Sequence, residues 1–418
     1  MHARPAALAA ITALVLTGPA VIAAPAAVAA PAAPAAATAG DLTTPGGFTG
    51  MSPTRVLDTR NAMFVPNGQQ RPLNPDEYYT TPLVTFTSHM PPTTHTVVPA
   101  DTTAVVVNVT ATSPTADSYL TLSAAGHPGT VPATSSLNFK AGKTVSNLVT
   151  VAVLPGTTPA ITVYNHAGTT DVVLDVVGYY RAGATDKYAP LTPSRLVDSR
   201  SDGGRLGQDG VRSVQVARPE LGTADARAVI LNVTATEGTA ESFLAVYPTG
   251  TERPFVGSNV NFGAGKTVPN QVVVPVGADG KIDVYNHVGS VDVVVDLVGY
   301  YGPSGTGLFS ALGTPVRAYD TRSSAAVEPG GTRTVPVVQG QVVGAALNVT
   351  ATEPTTDGHL TVYPAAAARP DTSNLNFTAG LTVANSVTTR TDDGRVSIYN
   401  NDGYTHVIAD LTGVFVAG

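Results

Sequence analysis

Cysteine is absent from this chain. Its absence removes thiol nucleophiles, thiolate metal sites, dithiol redox chemistry and structural disulfides together. Small exported domains often lean on disulfides, but segments of about 115–140 residues bury enough core to do without them. Tryptophan is absent too, which weighs mildly against a dedicated glycan-stacking platform. Charged residues make up only 13% of the chain, the formal net charge is −7, and no basic cluster occurs. A nucleic-acid groove or a patch for anionic membranes therefore has no electrostatic footprint. Beyond the N-terminal segment no run of about 18 apolar residues occurs, so nothing else reads as a membrane-spanning helix. There is no Gly-x-Ser-x-Gly elbow, no histidine set at metal-ligand spacing and no calcium-loop pattern at the Asp-Gly turns. No catalytic residue, metal or cofactor is assigned on these grounds.

What the N-terminus does have is an address. His2 and Arg4 precede an apolar Ala/Leu/Val/Ile stretch from Ala6 to Ala24, followed by small residues at Ala27-Val-Ala29 and Ala37-Thr-Ala39. This is the layout of a secretory signal with two candidate cleavage sites. Pro19 and Pro25 interrupt the run and make it a poor permanent span. Residues 1–40 are read as a signal peptide with an Ala/Pro-rich segment. The mature protein is expected to be secreted, extracellular or held at the cell surface, with no membrane span after cleavage.

The rest of the chain is one pattern written three times. Asn108-Val-Thr-Ala-Thr112 recurs as Asn232-Val-Thr-Ala-Thr236 and Asn348-Val-Thr-Ala-Thr352. Leu137-Asn-Phe139 recurs at Val260–Phe262 and Leu375–Phe377, and the pairs Tyr164-Asn165, Tyr285-Asn286 and Tyr399-Asn400 follow. Each copy opens near an aromatic on Arg-x-x-Asp-Thr/Ser-Arg (Arg55, Asp58, Arg60; Arg195, Asp198, Arg200; Arg317, Asp320, Arg322). Each closes on Asp-x-x-Gly, at Asp175, Asp296 and Asp410, with a Tyr or Phe just beyond. The intervals from Asn108 to Asn232 and from Asn232 to Asn348 are 124 and 116 residues, domain-sized rather than solenoid-sized. They give three tandem modules at 41–183, 184–304 and 305–418. The linkers between Tyr180 and Tyr188, and between Tyr301 and Phe309, are seven residues each. Equal joints allow one rotation to repeat and three copies to close around a pseudo-threefold axis.

Period-two alternation in Ile161–Tyr164, Ile282–Tyr285 and Val396–Tyr399 reads as strand, and Asp279-Gly280 and Asp393-Gly394 read as hairpin turns. No amphipathic helix is apparent, in keeping with 33 prolines and 41 glycines. The expected class is all-β: three antiparallel β-sandwich modules, jelly-roll or Ig-like. The first copy carries an insertion. Between Arg60 and Asn108 lie 47 residues, against 31 and 25 at the later positions; the extra material reads as a decorating or swapped hairpin, with a functional surface insertion as the alternative.

The opening Pro-Thr-Arg-x-x-Asp-Thr-Arg, the Asn-Val-Thr-Ala-Thr strand, the Ser-Asn-Leu-Asn-Phe-x-Ala-Gly block and the closing Asp-x-x-Gly-Tyr resemble a repeat module of exported proteins from high-GC Gram-positive bacteria. That module occurs alone, in tandem, or appended to cell-wall and protein hydrolases. The resemblance covers the whole mature chain and implies export and an extracellular role. It supplies no agreed ligand and no catalytic residues. The third copy departs from it at Val316, Tyr319 and Val414-Phe415.

Three sets of polar residues remain to be placed. The opening arginines each have an aspartate close by, and Asp175, Asp296 and Asp410 sit in strongly apolar strands, where a carboxylate is costly unless paired. Structural ion pairs among these residues are expected, joining the first and last strands of each module. Asp171/Asp175, Asp292/Asp296 and His406/Asp410 share strand faces, so a hydrolase acid–base pair is the competing reading. The Tyr-Asn pairs are the best ligand-binding candidates. Each Tyr lies on the polar face of its strand with Thr162, Asp283 or Ser397, offering a ring and a hydroxyl beside an amide. His166 and His287, which follow two of the pairs, read as turn residues. The Asn-x-Thr-x-Thr strands resemble glycosylation sequons and read equally as the polar side of a half-buried strand. The expected function is an exported, non-enzymatic interaction or scaffold protein whose partner is an extracellular protein or a cell-surface glycan. Carbohydrate binding and secreted hydrolysis are the alternatives.

Overall fold

A computed structural model of the chain describes residues 42–418, apart from 66, 67, 69, 87–93, 127–132, 155–157 and 255–256. The expected signal segment with its cleavage sites, Asn67 and His89–Pro92 lie outside the described residues.

Valine-rich alternation produces strands almost everywhere. Among the described residues the only helical elements are two three-residue 3₁₀ turns, Ala62–Phe64 and Pro219–Leu221. Among the described residues no helix is long and apolar enough to cross a membrane. In the first repeat the sheet order is Gly47–Asp58, Asp171–Arg181, Thr102–Thr112, Val145–Ala152, with a second sheet Glu77–Pro82, Ala160–Asn165, Ser118–Ala124, Leu137–Phe139. Counted along the repeat, these are strands 1-8-3-6 and 2-7-4-5, all antiparallel neighbours. This is jelly-roll order, and the other two repeats have the same order. The immunoglobulin-like order left open by the sequence is not the one formed.

Each repeat closes a core of its own between its two sheets. Val56 to Val176 form one cluster, Leu196 to Tyr300 a second and Leu312 to Val414 a third. The insertion in the first repeat supplies the extra hairpin Val84–Phe86 and Thr94–Thr96.

A fourth cluster belongs to all three repeats, and it explains the aromatic that brackets each copy. Phe48, Tyr180, Tyr188, Tyr301, Phe309 and Phe415 are buried together. The contacts run in a cycle. Phe48 packs on Tyr301, Tyr188 on Phe415 and Phe309 on Tyr180, with ring centroids 4.1, 4.1 and 4.4 Å apart. Each opening aromatic thus meets the closing aromatic of the next repeat. Burying each ring contributes on the order of 2–3 kcal/mol.

The opening strands also meet one another in a cycle. Phe48 bridges Asp186, Tyr188 pairs with Gly307, and Phe309 bridges Gly46. The segment Leu42–Gly46 makes the third joint, since Leu42 and Gly46 bridge Leu312 and Phe309 of the last repeat. The Tyr188–Gly307 pairing fuses the inner sheets of the second and third repeats into one eight-stranded sheet. By contacts, residues 42–418 belong to a single compact unit.

Candidate functional site

The recurrent charged residues form one row in each repeat. Cross-strand register places Arg55 opposite Asp175 and Asp175 opposite Asn108. Arg195, Asp296 and Asn232 repeat the row, as do Arg317, Asp410 and Asn348. Arg55 Nε and Nη2 donate to the two Asp175 oxygens at 2.9 and 3.1 Å, while its Nη1 donates to Asp58 at 2.9 Å. Arg60 closes the chain with two further bonds to Asp58, at 2.8 and 2.9 Å. Arg195 and Arg317 donate through Nε to Asp296 and Asp410 at 2.8 and 2.7 Å, and Arg200 and Arg322 bind Asp198 and Asp320. Forked guanidinium–carboxylate geometry of this kind is the strong form of ion pair.

Burial pushes the Asp175, Asp296 and Asp410 carboxyls up from their ordinary range, and the facing arginine pulls each the other way. Burial also acts to raise Asp58, but the bonds and charges of Arg60 and Arg55 outweigh it and hold that carboxyl below 3.8.

The rows do a second job that the sequence did not reveal. The asparagine of each grips a loop of the neighbouring repeat. Asn108 Nδ2 donates to the Ser258 carbonyl at 2.6 Å, Asn232 Nδ2 to Ser373 at 2.8 Å, and Asn348 Nδ2 to Ser135 at 2.6 Å. These contacts run from the first repeat to the second, second to third and third to first. Two of the arginines reach the same loops, Arg195 to the Asp371 carbonyl at 3.4 Å and Arg317 to Ala133 at 2.8 Å. The Asn-Val-Thr-Ala-Thr strands are therefore not half-exposed, since a neighbouring repeat covers the face that a lone antiparallel sheet would leave in water. Deeper in the seams, Asn147 bonds Asn348 and the Ser386 amide, and Gln271 bonds the Thr388 amide and hydroxyl. The only sequence signal for this was an Asn–Thr polar stripe on a valine strand, recurring unchanged three times.

The second member of each face pair is engaged elsewhere. Asp171 accepts from the Thr59 hydroxyl at 2.8 Å, Asp292 from Ser199 at 2.7 Å, and His406 Nδ1 lies 3.2 Å from the Thr321 hydroxyl. Among the described residues no group of three or more His, Asp or Glu side chains is placed to hold a metal ion.

The Tyr-Asn pairs are brought to equivalent corners, but largely inside them. Asn165, Asn286 and Asn400 are all 0% exposed. Asn165 Nδ2 reaches the carbonyls of Leu73, Asn74 and Gly168, and Asn286 and Asn400 bond the corresponding three carbonyls. These amides tie the turn after the strand to the start of the second strand, and their donors are spent on that. Tyr164 and Tyr285 are buried and donate their hydroxyls to Asp76 and Asp209, residues held at φ 56° and 55°. Gly330 occupies the corresponding turn of the third repeat, and Tyr399 there is only half-buried.

Each tyrosine ring is also covered. Tyr78 lies against Tyr164, with centroids 4.6 Å apart. Arg253 sits 4.1 Å over the Tyr285 ring and Arg369 3.8 Å over Tyr399, in cation–π geometry. What faces solvent is the layer around the tyrosines. His166 stacks on Tyr119 at 4.6 Å, and His287 on Phe243 at 4.7 Å. In the third repeat a half-buried His359 and an exposed Arg369 take that place.

No protein-family model matches the chain, and no curated protein matches it. A chain from the atomic structure of Sulfolobus Turreted Icosahedral Virus aligns over 89% of this chain and 91% of its own, at 9% identity and a TM-score of 0.17. An alignment that loose carries no argument about fold or function.

Proposed function

We propose that this chain is an exported, non-enzymatic scaffold that presents three similar outer faces to an extracellular protein partner. The observation that supports this most is the fate of the recurrent polar residues. The carboxylates that would serve a hydrolase are each bound by arginine or hydroxyl donors of their own repeat. The groups that reach solvent around the tyrosines are instead half-buried aromatic rings with exposed histidine and arginine side chains beside the second sheet, and aromatic residues and arginine are enriched where proteins meet. Three faces held in fixed relation would raise avidity over single-site affinity by about 10²–10⁴.

Two flat stacked pairs, Tyr119–His166 and Phe243–His287, favour cell-surface glycan as a second reading. The two readings separate in one experiment. The purified chain and a Phe243→Ala/His287→Ala variant are passed over peptidoglycan, chitin, cellulose and starch, and over immobilised extracellular proteins from culture supernatant. The scaffold reading expects saturable capture of a discrete protein, weakened in the variant, with no sugar released. Retention on one polysaccharide would select the glycan reading, and release of reducing ends would overturn both. Export itself is tested by N-terminal sequencing of extracellular material, which is expected to begin near Ala30 or Gly40.

A further inference from the structure

A cavity of about 470 Å³ opens where the three repeats meet, lined by residues 137–138 and 143–146 of the first, 241–242, 261–264 and 266–269 of the second, and 376, 378, 381, 383 and 384 of the third. Its wall is threefold in part. Asn138, Asn261 and Asn376 occupy equivalent places in the three Leu/Val-Asn-Phe strands, and Val145, Val268 and Val383 form the apolar surface beside them. The symmetry then breaks. Lys143 and Lys266 line the cavity from the first two repeats, whereas the third supplies Leu381.

The hydroxyls of Thr144, Ser146, Ser242 and Thr267 in this cavity are bonded elsewhere, but several amide and ammonium groups are free among the described residues. Asn138 and Asn376 each spend their Oδ1 on a serine hydroxyl, Ser135 or Ser373, at 2.9 Å. Their Nδ2 groups have no partner among the described residues. Asn261 is turned the other way: its Nδ2 donates to Ser146 and Ser258 at 3.0 Å, which leaves its Oδ1 as an acceptor. Lys143 and Lys266 are exposed and have no carboxylate within ion-pair distance among the described residues, unlike Lys140, which pairs with Asp117 at 2.8 Å. They are two of only five lysines in a chain of net charge −7. Glu241 adds one negative charge to the lining.

We infer that this axial cavity binds an acidic carbohydrate, a mono- or disaccharide bearing one carboxylate. The volume lies within the range of small-molecule sites. The two ammonium groups supply the countercharge on one side, the amide donors and the Asn261 oxygen meet hydroxyl groups, and the valines receive the C–H face of the ring. The Lys/Lys/Leu asymmetry orients the ligand, carboxylate between Lys143 and Lys266 and uncharged edge against Leu381. Asn138, Asn261 and Asn376 stand directly across the strand from Tyr119, Phe243 and His359, so the cavity borders the outer faces, but its preference for a carboxylate depends on Lys143 and Lys266, which those faces do not use.

The test is calorimetric titration of the whole chain with D-glucuronate and N-acetylmuramic acid, against glucose and N-acetylglucosamine as neutral counterparts. The expected result is saturable binding of at least one acidic sugar, tighter than its neutral counterpart. Lys143→Ala/Lys266→Ala is expected to weaken it by about tenfold or more, and added salt is expected to weaken it as well. Both lysines are exposed, and an unchanged thermal melt verifies that the variant is folded. Asn138→Ala/Asn376→Ala is expected to weaken acidic and neutral sugars alike. No heat with either acidic sugar at millimolar concentration would overturn the assignment. So would equal affinity for acidic and neutral sugars, or full binding in the double lysine variant.

Discussion

Asp175, Asp296 and Asp410 make similar bonds, but the arginines they neutralise differ in access to water. The side chains of Arg55, Arg317 and Arg195 are 11%, 21% and 36% exposed. Removing the carboxylate leaves each guanidinium to find other solvation, and the most buried one suffers most. Asp175→Ala is therefore expected to destabilise by about 3–5 kcal/mol, Asp410→Ala by less and Asp296→Ala by least, as read from chemical denaturation of the full chain. Equal losses, or none, would contradict the buried-pair reading. Acid has a distinct signature at Asp58. Because its folded value lies below the ordinary 3.8, its contribution is complete above 3.8 and is lost as pH falls through the folded value. The gap in melting temperature between wild type and Asp58→Asn is thus expected to narrow as pH drops from neutral through 3.8. A gap that stayed constant would mean that the carboxylate carries no perturbed charge. The arginine–aspartate association was legible in sequence because a charge in a valine strand has few alternatives to pairing. The roles of Tyr164, Tyr285 and Tyr399 were less so. Strand alternation puts them on the polar face, but it cannot say that Tyr78, Arg253 and Arg369 will cover that face from another strand or loop.

At the scale of strands, the closing Asp-x-x-Gly is explained by a close approach. A Cβ at Gly178 would lie 2.3 Å from Phe48 Cζ, and one at Gly413 would lie 2.4 Å from Phe309 Cζ. At Gly299 the nearest atom would be Tyr188 Cε2, at 2.9 Å. The glycine is the recess into which the opening aromatic of the same repeat folds on its way to the shared hub. Gly178→Ala and Gly413→Ala are expected to cost about 1–3 kcal/mol through overpacking, with Gly299→Ala milder, measured by thermal melts. No loss at Gly178 would mean that the Phe48 ring is free to move. Strand positions followed from periodicity and turn residues, and the all-β class with them. Strand order did not follow, because a jelly roll and an immunoglobulin sandwich place similar alternating segments between similar turns. The pairing 1-8-3-6 depends on contacts between the two ends of a repeat, and only the Arg55–Asp175 type of ion pair hinted at those.

At the scale of the whole chain, three jelly rolls share one hub, and every seam is made twice over. An opening aromatic meets the next repeat's closing aromatic, and an asparagine meets the next repeat's loop. The cycle returns from the third repeat to the first, which separates this arrangement from a row of beads or an open rod. Equal linker lengths made closure conceivable from sequence. The buried Asn and Gln contacts that hold it were not legible, since a polar stripe on a strand ordinarily means solvent. The most direct test of closure uses the absence of native cysteine. Ala141, Ala264 and Ala379 are exposed and occupy equivalent turns of the three repeats. Nitroxide labels on the three pairwise double variants, Ala141→Cys/Ala264→Cys, Ala264→Cys/Ala379→Cys and Ala141→Cys/Ala379→Cys, report three distances by pulsed electron resonance. A closed ring gives three narrow distributions with matching means. A long or broad distribution for the 141/379 pair beside two short ones would show that the first and third repeats do not meet, and would contradict the account.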